Sequence, residues 1–380
     1  MFVRPLAFDG ARRMVVKIGS AVLSDGGTFD RVTFVSLVRD LMRLREHGIE
    51  LVVVSSGAVA LGMERMGRTK RPTEMPQLQA TAAIGQGRLM RLWEDELGAY
   101  GARAAQVLLT HDDLRSRRRF LAARHTLRAV LEMGAIPIIN ENDTVAVEEI
   151  KMGDNDMLSA QIVSLVGAEF LCIVSDVEGL YDRNPKEAGA QRLETVSIID
   201  AAVEALAGGS GSRVGSGGMR TKLGAVRQVT EMGVPALVVG GRAPRVLQRL
   251  YDGEALGTWF QARPIRLSSR KHWIAYALRP QGTLRVDAGA ARALIEKGSS
   301  LLPVGVVAVE GEFEAGTCVR ISGPEGAEIA RGLVGYDSDL VRQTAGLKGR
   351  KVAEILEEHA PEVVHRDDLV VLAEVGPAGA

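Results

Sequence analysis

The sequence predicts an α/β protein, a three-layer sandwich around a mostly parallel sheet, followed by a small β-rich C-terminal domain. Short apolar runs recur along the first two-thirds of the chain, and segments with helical periodicity separate them. Continuous apolar strands that alternate with helices are typical of a parallel sheet covered on both faces. Beyond about residue 262 the alternation stops, and short strands punctuated by glycine replace it.

The strands of the predicted sheet are the apolar runs at residues 14–18, 51–55, 105–110, 136–140, 170–176 and 236–240. The helices between them are predicted at residues 31–48, 79–97, 120–134, 157–168 and 219–233. The ends of the first helix are marked in the sequence: Asp30 is suited to cap its N-terminus, and Gly48 is suited to end it.

Polar side chains stand where several of these strands end. Open parallel sheets bind ligands beyond the C-terminal ends of their strands. We therefore expect one crevice that is shared by Lys17, Ser55–Ser56, Asn140 and Ser175–Asp176.

The chain length favours two domains, which we place at residues 1–262 and 281–380 with a connector at 263–280. Within 281–380 the segments "GTLRVDAGA", "LLPVGVVAVEGEF", "TCVRISG" and "DLVVLAEV" are predicted strands. This domain contains 10 basic and 16 acidic residues, a net charge of −6, so the rest of the chain carries +6. The positive part, which suits anionic ligands, is therefore the α/β domain.

Composition excludes several classes of function. Lys+Arg and Asp+Glu both number 47, so bulk electrostatics predict neither a nucleic-acid nor a membrane partner. The two cysteines, Cys172 and Cys318, are isolated in apolar context, which disfavours a disulfide framework or zinc cluster and fits a reducing compartment. The N-terminus lacks a signal-peptide core, and no apolar stretch approaches the ~18–20 residues of a membrane span. We expect a cytoplasmic protein.

Three segments rich in small residues are candidates for binding phosphate. "KIGS" (17–20) and "SSGAVALG" (55–62) follow predicted strands, where backbone N–H groups can approach an anion. "GGSGSRVGSGGMRTK" (208–222) precedes a predicted helix with Lys222 in its first turn, and it matches neither the P-loop nor the dinucleotide fingerprint. Each segment also has a purely structural alternative. In the first the lysine only lies at a sheet edge, in the second the serine only caps a helix, and the third is only a surface loop.

The segment "INENDTVAVEEIKMGDNDMLSA" (139–160) concentrates acidic and amide side chains. Asp156 is suited to cap a helix that starts at Met157, but capping requires one such residue and not the whole group. EF-hand spacing is absent and no histidine is near, which disfavours a transition-metal site. Such groups at strand ends suit either a ligand with an ammonium group or Mg²⁺ on phosphates. The group consists of Asn140, Asn142, Asp143, Asp154, Asn155 and Asp156.

The ordered set of these motifs resembles the amino acid kinase superfamily, and within it the glutamate 5-kinases. The motifs are "VVKIGS", "VVSSGAVALG", "PIINENDTVA", "EIKMGDNDMLSA", "VSDVEGLY" and "GSGGMRTK". The C-terminal part with "GSSLLPVGV" looks like the PUA domain of bacterial forms, so the resemblance covers all but the first ten residues. It implies the amino acid kinase fold with an appended PUA-like domain.

The resemblance also implies a reaction, the ATP-dependent phosphorylation of the γ-carboxylate of L-glutamate to L-glutamyl 5-phosphate, which begins proline biosynthesis. Mg²⁺ would accompany ATP. A carboxylate with a pKa of about 4.3 is already ionised at neutral pH, so the nucleophile needs no general base. The protein then has to align two anions and neutralise charge on the transferring phosphoryl group.

Roles for individual residues follow from the same resemblance. Lys17 and Lys222 would stabilise the transferring group from opposite sides, and Asp156 would hold both lysines in place. Glutamate would be bound by Ser56, Gly57, Asn140, Asp143, Asp154 and Asn155. ATP would be bound by Lys17, Ser175, Asp176, Ser216, Gly217, Gly218, Met219, Arg220, Thr221 and Lys222, with no metal site formed by the protein itself.

Two alternatives remain open at this stage. A relative that phosphorylates N-acetylglutamate or aspartate would use the same fold, although an acidic "INEND" suits a free ammonium group better than an acetylated one. PUA domains often bind RNA, but the charge of −6 on residues 281–380 argues against contacts with a phosphate backbone. The resemblance further implies a homo-oligomer and an association with glutamyl phosphate reductase.

Overall fold

The computed structural model describes residues 11–25, 28–146, 155–207, 218–263, 271, 273–348, 350–356 and 362–372. The chain divides into two compact units, Met1–Arg266 and Leu267–Ala380.

The first unit contains every strand and helix that the apolar pattern predicts, each within a few residues of its expected position. Its strands are β1 (Arg13–Ile18), β2 (Ser24–Asp25), β3 (Thr28–Phe29), β4 (Glu50–Ser55), β5 (Ala104–Leu109), β6 (Ile136–Glu141), β7 (Phe170–Ser175), β8 (Thr195–Val196), β9 (Ala236–Gly240) and β10 (Thr258–Phe260). Its helices are α1 (Arg31–Glu46), α2 (Ala58–Arg65), α3 (Met75–Gly98), α4 (His111–Arg115), α5 (Arg117–Glu132), α6 (Asn155–Val166), α7 (Ala201–Leu206), α8 (Met219–Glu231) and α9 (Val246–Tyr251).

Eight of these strands form one mostly parallel sheet, in the order β5-β6-β4-β1-β7-β9-β10-β8. Neighbouring strands are parallel except where β10 meets β9. The central strand β1 pairs with both β4 and β7, and Lys17 lies opposite Val54 on one side and Ile173 on the other. The C-terminal ends of β6, β4, β1 and β7 are therefore neighbours, as the sequence predicts for a ligand-binding edge.

The two faces of this sheet are covered by different helices. Met14, Val16 and Ile18 join a buried core with residues of α1 and α3. Because successive side chains of a strand alternate between faces, Lys17 projects to the opposite side. On that side α6 packs against β1 and lies between α5 and α8. This arrangement confirms the predicted three-layer sandwich.

Local signals in the sequence set the ends of α1. The Asp30 carboxylate accepts a hydrogen bond from the backbone N–H of Thr33 at 3.0 Å, which satisfies a free donor of the first turn. After the helix, Gly48 has a φ of 85°, a left-handed conformation that glycine adopts without strain. Both predicted ends of this helix are confirmed.

The second unit has its own sheet and core, which confirms the predicted β-rich domain. Its strands are β11 (Gly282–Val286), β12 (Val306–Glu310), β13 (Cys318–Ser322), β14 (Glu328–Leu333) and β15 (Leu369–Val371), in the order β12-β11-β13-β14-β15. Leu284, Val319 and Ile321 lie at the centre of its apolar core. Its helices are α10 (Ala288–Lys297), α11 (Ser338–Thr344) and α12 (Arg350–Leu356), with a π-helical turn at Trp273–Ala277 and 3₁₀ turns at Pro303–Gly305 and Arg366–Asp368.

One strand prediction in this unit is partly wrong. The segment "GTLRVDAGA" is a strand only as far as Val286. Asp287 then caps helix α10, its carboxylate accepting a hydrogen bond from the N–H of Ala290 at 2.7 Å. An aspartate placed three residues before a free N–H outweighs the apparent continuation of the strand.

Candidate active site

Three charged side chains lie together in the interior at the C-terminal edge of the sheet. The carboxylate of Asp156 has Oδ1 at 2.5 Å from Lys17 Nζ and Oδ2 at 3.3 Å from Lys222 Nζ. The hydroxyl of Thr221 donates to the same Oδ2 at 2.8 Å. Asp156 is only 1% exposed, and each lysine is 5% exposed. The sequence placed these residues far apart along the chain, and the fold brings them into direct contact.

The electrostatics of this group follow from its burial. Burial alone would raise the pKa of Asp156, but Lys17 and Lys222 outweigh burial and lower this pKa to about 2. Burial lowers the pKa of Lys222, and the neighbouring Lys17 lowers it further, while Asp156 acts in the opposite direction. With both lysines protonated, the three groups carry one net positive charge, which is suited to an anion.

Each member of this group is held by a regular element. Lys17 is the penultimate residue of the central strand β1, and it points away from the core that α1 covers. Asp156 and Lys222 come from the first turns of α6 and α8, which pack against each other. Helix α6 is buried along nearly its whole length, which explains why its sequence is apolar on all sides.

The prediction that Asp156 caps a helix starting at Met157 is wrong. Helix α6 begins at Asn155, so Asp156 lies inside its first turn. Its carboxylate contacts Lys17, Lys222 and Thr221 instead. The cap pattern and the lysine contacts both require a short acidic side chain, and the sequence alone does not distinguish them.

A chain of amide hydrogen bonds lies beside the charged group. Asn155 Nδ2 donates to Ser56 Oγ at 2.9 Å and to Asn140 Oδ1 at 3.0 Å. Asn140 Nδ2 in turn donates to Gln86 Oε1 at 2.9 Å. Asn155 Oδ1 is buried and has no hydrogen-bond partner among the described residues. An acceptor left unpaired in the interior points to a missing donor, such as a ligand N–H.

The backbone around Ser56 approaches this site closely. Since Ser56 Oγ accepts a hydrogen bond from Asn155, its own O–H remains available to donate to a ligand. The alternative that a serine merely caps helix α2 is wrong, because the capping position is Gly57 with a φ of 116°. A Cβ atom at Gly57 would also lie 3.3 Å from the ring of Phe29. Both the conformation and the space favour glycine here.

Asp143 lies just after strand β6 and carries a strongly perturbed carboxyl group. Burial raises its pKa to about 7, and the negative charge of Glu141 contributes, with Arg71 opposing in part. At neutral pH the carboxyl of Asp143 is therefore only partly ionised in the free protein. A cation bound next to it would lower this pKa and restore the full charge.

The residues expected to hold the nucleotide flank Lys222. Ser175 ends strand β7 and donates a hydrogen bond to Asp176 Oδ1 at 3.1 Å, and Asp176 is exposed. The negative charge of Asp176 acts on Lys222 in the same direction as that of Asp156. Gly218 is the N-cap of α8, and Met219, Arg220 and Thr221 form its first turn with Lys222. Asp154, Ser216 and Gly217 lie outside the described residues.

Sequence reasoning missed Gln86 and Trp93 of α3, which contact this region from the other helical layer. Gln86 accepts the hydrogen bond from Asn140, and Trp93 Nε1 donates to Ser55 Oγ at 3.0 Å. The sequence contains no signal for these two residues. In a helical pattern, a glutamine that faces a binding site looks the same as one that faces solvent.

The described stretches of the chain contain no group of three or more His, Cys, Asp and Glu residues arranged to hold a metal ion. None of their helices combines the length and the apolar character that a membrane crossing requires.

Comparison with known proteins adds independent findings. Residues 12–240 match the amino acid kinase family, and residues 282–356 match the PUA domain. The chain is 48% identical to glutamate 5-kinase of Trichlorobacter lovleyi over 95% of its length and 97% of the relative's. It is 47% identical to glutamate 5-kinases of Pseudomonas putida (96% and 98% covered) and of Geobacter metallireducens (97% and 100% covered). The buried lysines, the fold and these matches agree: the chain belongs to the amino acid kinase family, and within it to the glutamate 5-kinases that carry a PUA domain.

Proposed function

We propose that this protein transfers the γ-phosphoryl group of ATP to the γ-carboxylate of L-glutamate, giving L-glutamyl 5-phosphate and ADP as the first step of proline biosynthesis. The relatives that the chain matches at 47–48% identity bear the name glutamate 5-kinase. The observation that carries the proposal is the buried contact of Asp156 with Lys17 and Lys222. Buried charges of this kind are costly, and strongly perturbed, paired groups in a crevice are typical of functional sites.

The reaction requires little from the protein beyond position and charge. An oxygen of the γ-carboxylate attacks the γ-phosphorus as the bond to the bridging oxygen breaks, and that oxygen leaves with ADP. The nucleophile is ionised at neutral pH, so no residue has to remove a proton. In the proposed mechanism Lys17 and Lys222 offset the negative charge that spreads over the transferring group. Asp156 would hold the two ammonium groups at fixed positions and limit their mutual repulsion.

Glutamate is proposed to bind along the amide chain. The O–H of Ser56 and the backbone at Gly57 would donate to a carboxylate, and Asn155 Oδ1 would accept from a donor of the ligand. Asn140 and Asp154 would support this end of the site. Asp143 would pair with the ammonium group, a role supported by its raised pKa, which a bound cation would lower again.

The nucleotide is proposed to lie along the start of α8 and the end of β7. Its binding set would comprise Lys17, Ser175, Asp176 and residues 216–222. Mg²⁺ is proposed to enter as part of the nucleotide substrate, where it would offset negative charge on the phosphates. This fits the carboxylate of Asp156, which is already engaged by two lysines and Thr221 and so is poorly placed to bind a cation as well.

Assembly and location are further parts of the proposal. We expect a cytoplasmic homo-oligomer that associates with glutamyl phosphate reductase, because an acyl phosphate hydrolyses readily and benefits from rapid use. The net charge of −6 on residues 281–380 supports a protein without an RNA partner. Filter binding with tRNA at low and high salt tests for an RNA partner. Tight retention that weakens at high salt would contradict the proposal that there is none.

The test of the activity is ATP-dependent hydroxamate formation, in which hydroxylamine traps the acyl phosphate. L-Glutamate, N-acetylglutamate and L-aspartate are compared at equal concentration. We expect product with glutamate and at most about a hundredth of that rate with N-acetylglutamate, because acetylation removes the charge that Asp143 would recognise. A faster reaction with N-acetylglutamate or aspartate would refute the assignment of glutamate as the substrate.

A further inference from the structure

Helix α3 carries three hydrogen-bonding side chains at equal spacing on one face. They are Gln79, Gln86 and Trp93, each seven residues from the next within a helix of 24 residues. Seven residues are close to two helical turns, so the three side chains form a row about 21 Å long. Each member of the row bonds to a different residue at or beyond the C-terminal ends of β4 and β6.

The three bonds reach two of the segments proposed to bind glutamate, residues 140–146 and 55–57. Gln79 Nε2 donates at 2.9 Å to the carbonyl of Ala146, in the segment that carries Asp143. Gln86 Oε1 accepts from Asn140 Nδ2 at 2.9 Å. Trp93 Nε1 donates at 3.0 Å to Ser55 Oγ, next to Ser56. One helix therefore contacts both segments.

The depth of α3 is fixed by its packing on α2. A Cβ atom at Gly85 would lie 1.8 Å from the carbonyl oxygen of Ala58, and one at Gly62 would lie 1.9 Å from that of Thr81. The two helices thus meet backbone to backbone, which only glycine permits. Ala58 is the first residue of α2 and directly follows the Ser56–Gly57 segment. Gln86 is adjacent to this contact point, so its position relative to the site has little freedom.

Gln86 decides how the Asn140 side chain is oriented. An amide group presents an oxygen on one side and an NH₂ on the other. Because Gln86 Oε1 accepts from Asn140 Nδ2, the oxygen of Asn140 faces Asn155 and accepts its hydrogen bond. Asn155 then donates its other hydrogen to Ser56, which leaves the serine proton for a ligand. In this arrangement each NH₂ group of Asn140 and Asn155 meets an oxygen, and Gln86 supplies the acceptor at the far end.

We propose that Gln86 is a positioning residue for the amino-acid substrate, which acts through Asn140, and that α3 keeps residues 55–57 and 140–146 in register. This inference rests on the proposed function. It makes a specific demand on kinetics: loss of Gln86 disturbs the site of the amino acid and leaves that of the nucleotide unchanged.

The experiment is a double-mutant cycle in the full-length protein. Gln86→Met keeps the length and helical preference of the side chain and removes the acceptor. We expect the KM for glutamate to rise about tenfold and the KM for ATP to stay within about twofold, because a buried donor of Asn140 loses its partner. In the background of Asn140→Ala, Gln86→Met should change the KM for glutamate by less than about twofold. Gln77→Met, exposed on the same helix, is the matched control and should behave as the parent.

The outcomes separate this inference from the proposed function. Multiplicative effects of Gln86→Met and Asn140→Ala, or an unchanged KM for glutamate in Gln86→Met, would overturn the inference while the parent remains a glutamate kinase. A parent without glutamate-dependent activity would overturn the proposed function and this inference with it. Thermal melting accompanies each assay, and Gln86→Leu replaces Gln86→Met if the latter lowers the Tm by more than about 5 °C.

Discussion

The two units of the chain treat buried polar groups in opposite ways. In the second unit the buried polar side chains among the described residues are neutral, namely Ser322, Ser338 and Thr344. Thr344 donates to the carbonyl of Leu340 in its own helix, so its hydroxyl is satisfied locally. In the first unit, by contrast, the interior holds Lys17, Asp156 and Lys222 in mutual contact.

This difference shows where the molecule tolerates energetic cost. Removing an ion from water costs several kcal/mol even after relaxation, and a paired neighbour offsets that cost only in part. A unit selected for stability alone has little reason to bury two ammonium groups on one carboxylate. The first unit does so at the edge where parallel strands end, whereas the fully buried polar residues described in the second unit carry hydroxyls, which are cheaper to satisfy. This contrast supports the proposal that the chemistry takes place in the first unit.

The largest expected effect comes from the lysines themselves. Lys17→Ala or Lys222→Ala should lower turnover by about 10²–10³, with a much smaller change in the affinity for glutamate. The reason is that each lysine is proposed to act on charge that develops only in the transition state. Steady-state hydroxamate kinetics, together with isothermal titration of glutamate, measure the two quantities separately.

A matched control is available on the surface of the same unit. Lys186 is exposed, and Lys186→Ala should leave turnover at the parental value. If either buried lysine can be replaced with turnover within about threefold of the parent, that lysine has no part in the mechanism.

A smaller and more selective effect is expected at Asp143. Asp143→Asn keeps the shape of the side chain and removes its charge, so the KM for glutamate should rise by at least about tenfold while that for ATP changes little. In the parent, the KM for glutamate should fall as the pH rises from 6 to 8, because the carboxyl ionises near its pKa of about 7. The variant should show no such dependence.

The raised pKa of Asp143 also makes the stability of the folded protein depend on pH. Its pKa in the folded protein lies above the ordinary value, so the folded state binds more protons and loses stability as the pH rises from about 4 to about 7. The ligand-free Asp143→Asn variant lacks this loss of stability, so its Tm at pH 8 should be higher than that of the parent. An ATP KM that moves as much as the glutamate KM would instead favour a role for Asp143 with Mg²⁺.

Much of the fold could be predicted from the sequence because its signals are local. The apolar runs of the central strands are short and alternate with helical patterns, and this order along the chain implies a parallel sheet. The ends of those strands then place Lys17, Ser56 and Asn140 at one edge. These inferences need only period and spacing, which a sequence displays directly.

The rest depends on contacts between distant segments. Gln86 is a polar residue in an amphipathic helix, and only the backbone contact at Gly85 shows that it faces Asn140. Asp156 matches a helix cap in sequence, while its actual partners are 139 and 66 positions away, at Lys17 and Lys222. Tertiary partners of this kind leave no local signal.

The smallest expected effect concerns the second unit. A chain that ends at Arg266 should fold and keep glutamate- and ATP-dependent hydroxamate formation, with turnover within about threefold of the parent. Arg263 donates its backbone N–H to the carbonyl of Thr230, so the first unit extends at least that far. The core of the second unit consists of its own residues, and none of the proposed site residues belongs to it.

Circular dichroism measures whether the truncated chain folds, and the hydroxamate assay measures its activity. The truncated chain with Lys222→Ala is the control. Activity that survives truncation must disappear in that variant if both chains use the same site. A fragment that melts cooperatively but forms no hydroxamate would show that the second unit contributes to catalysis, and the contrast between a chemical unit and a merely packed one would then be wrong. An unfolded fragment would place the boundary of the first core beyond Arg266. In that case the hydroxamate assay on a longer fragment, ending at the start of strand β11, decides whether the second unit contributes to catalysis.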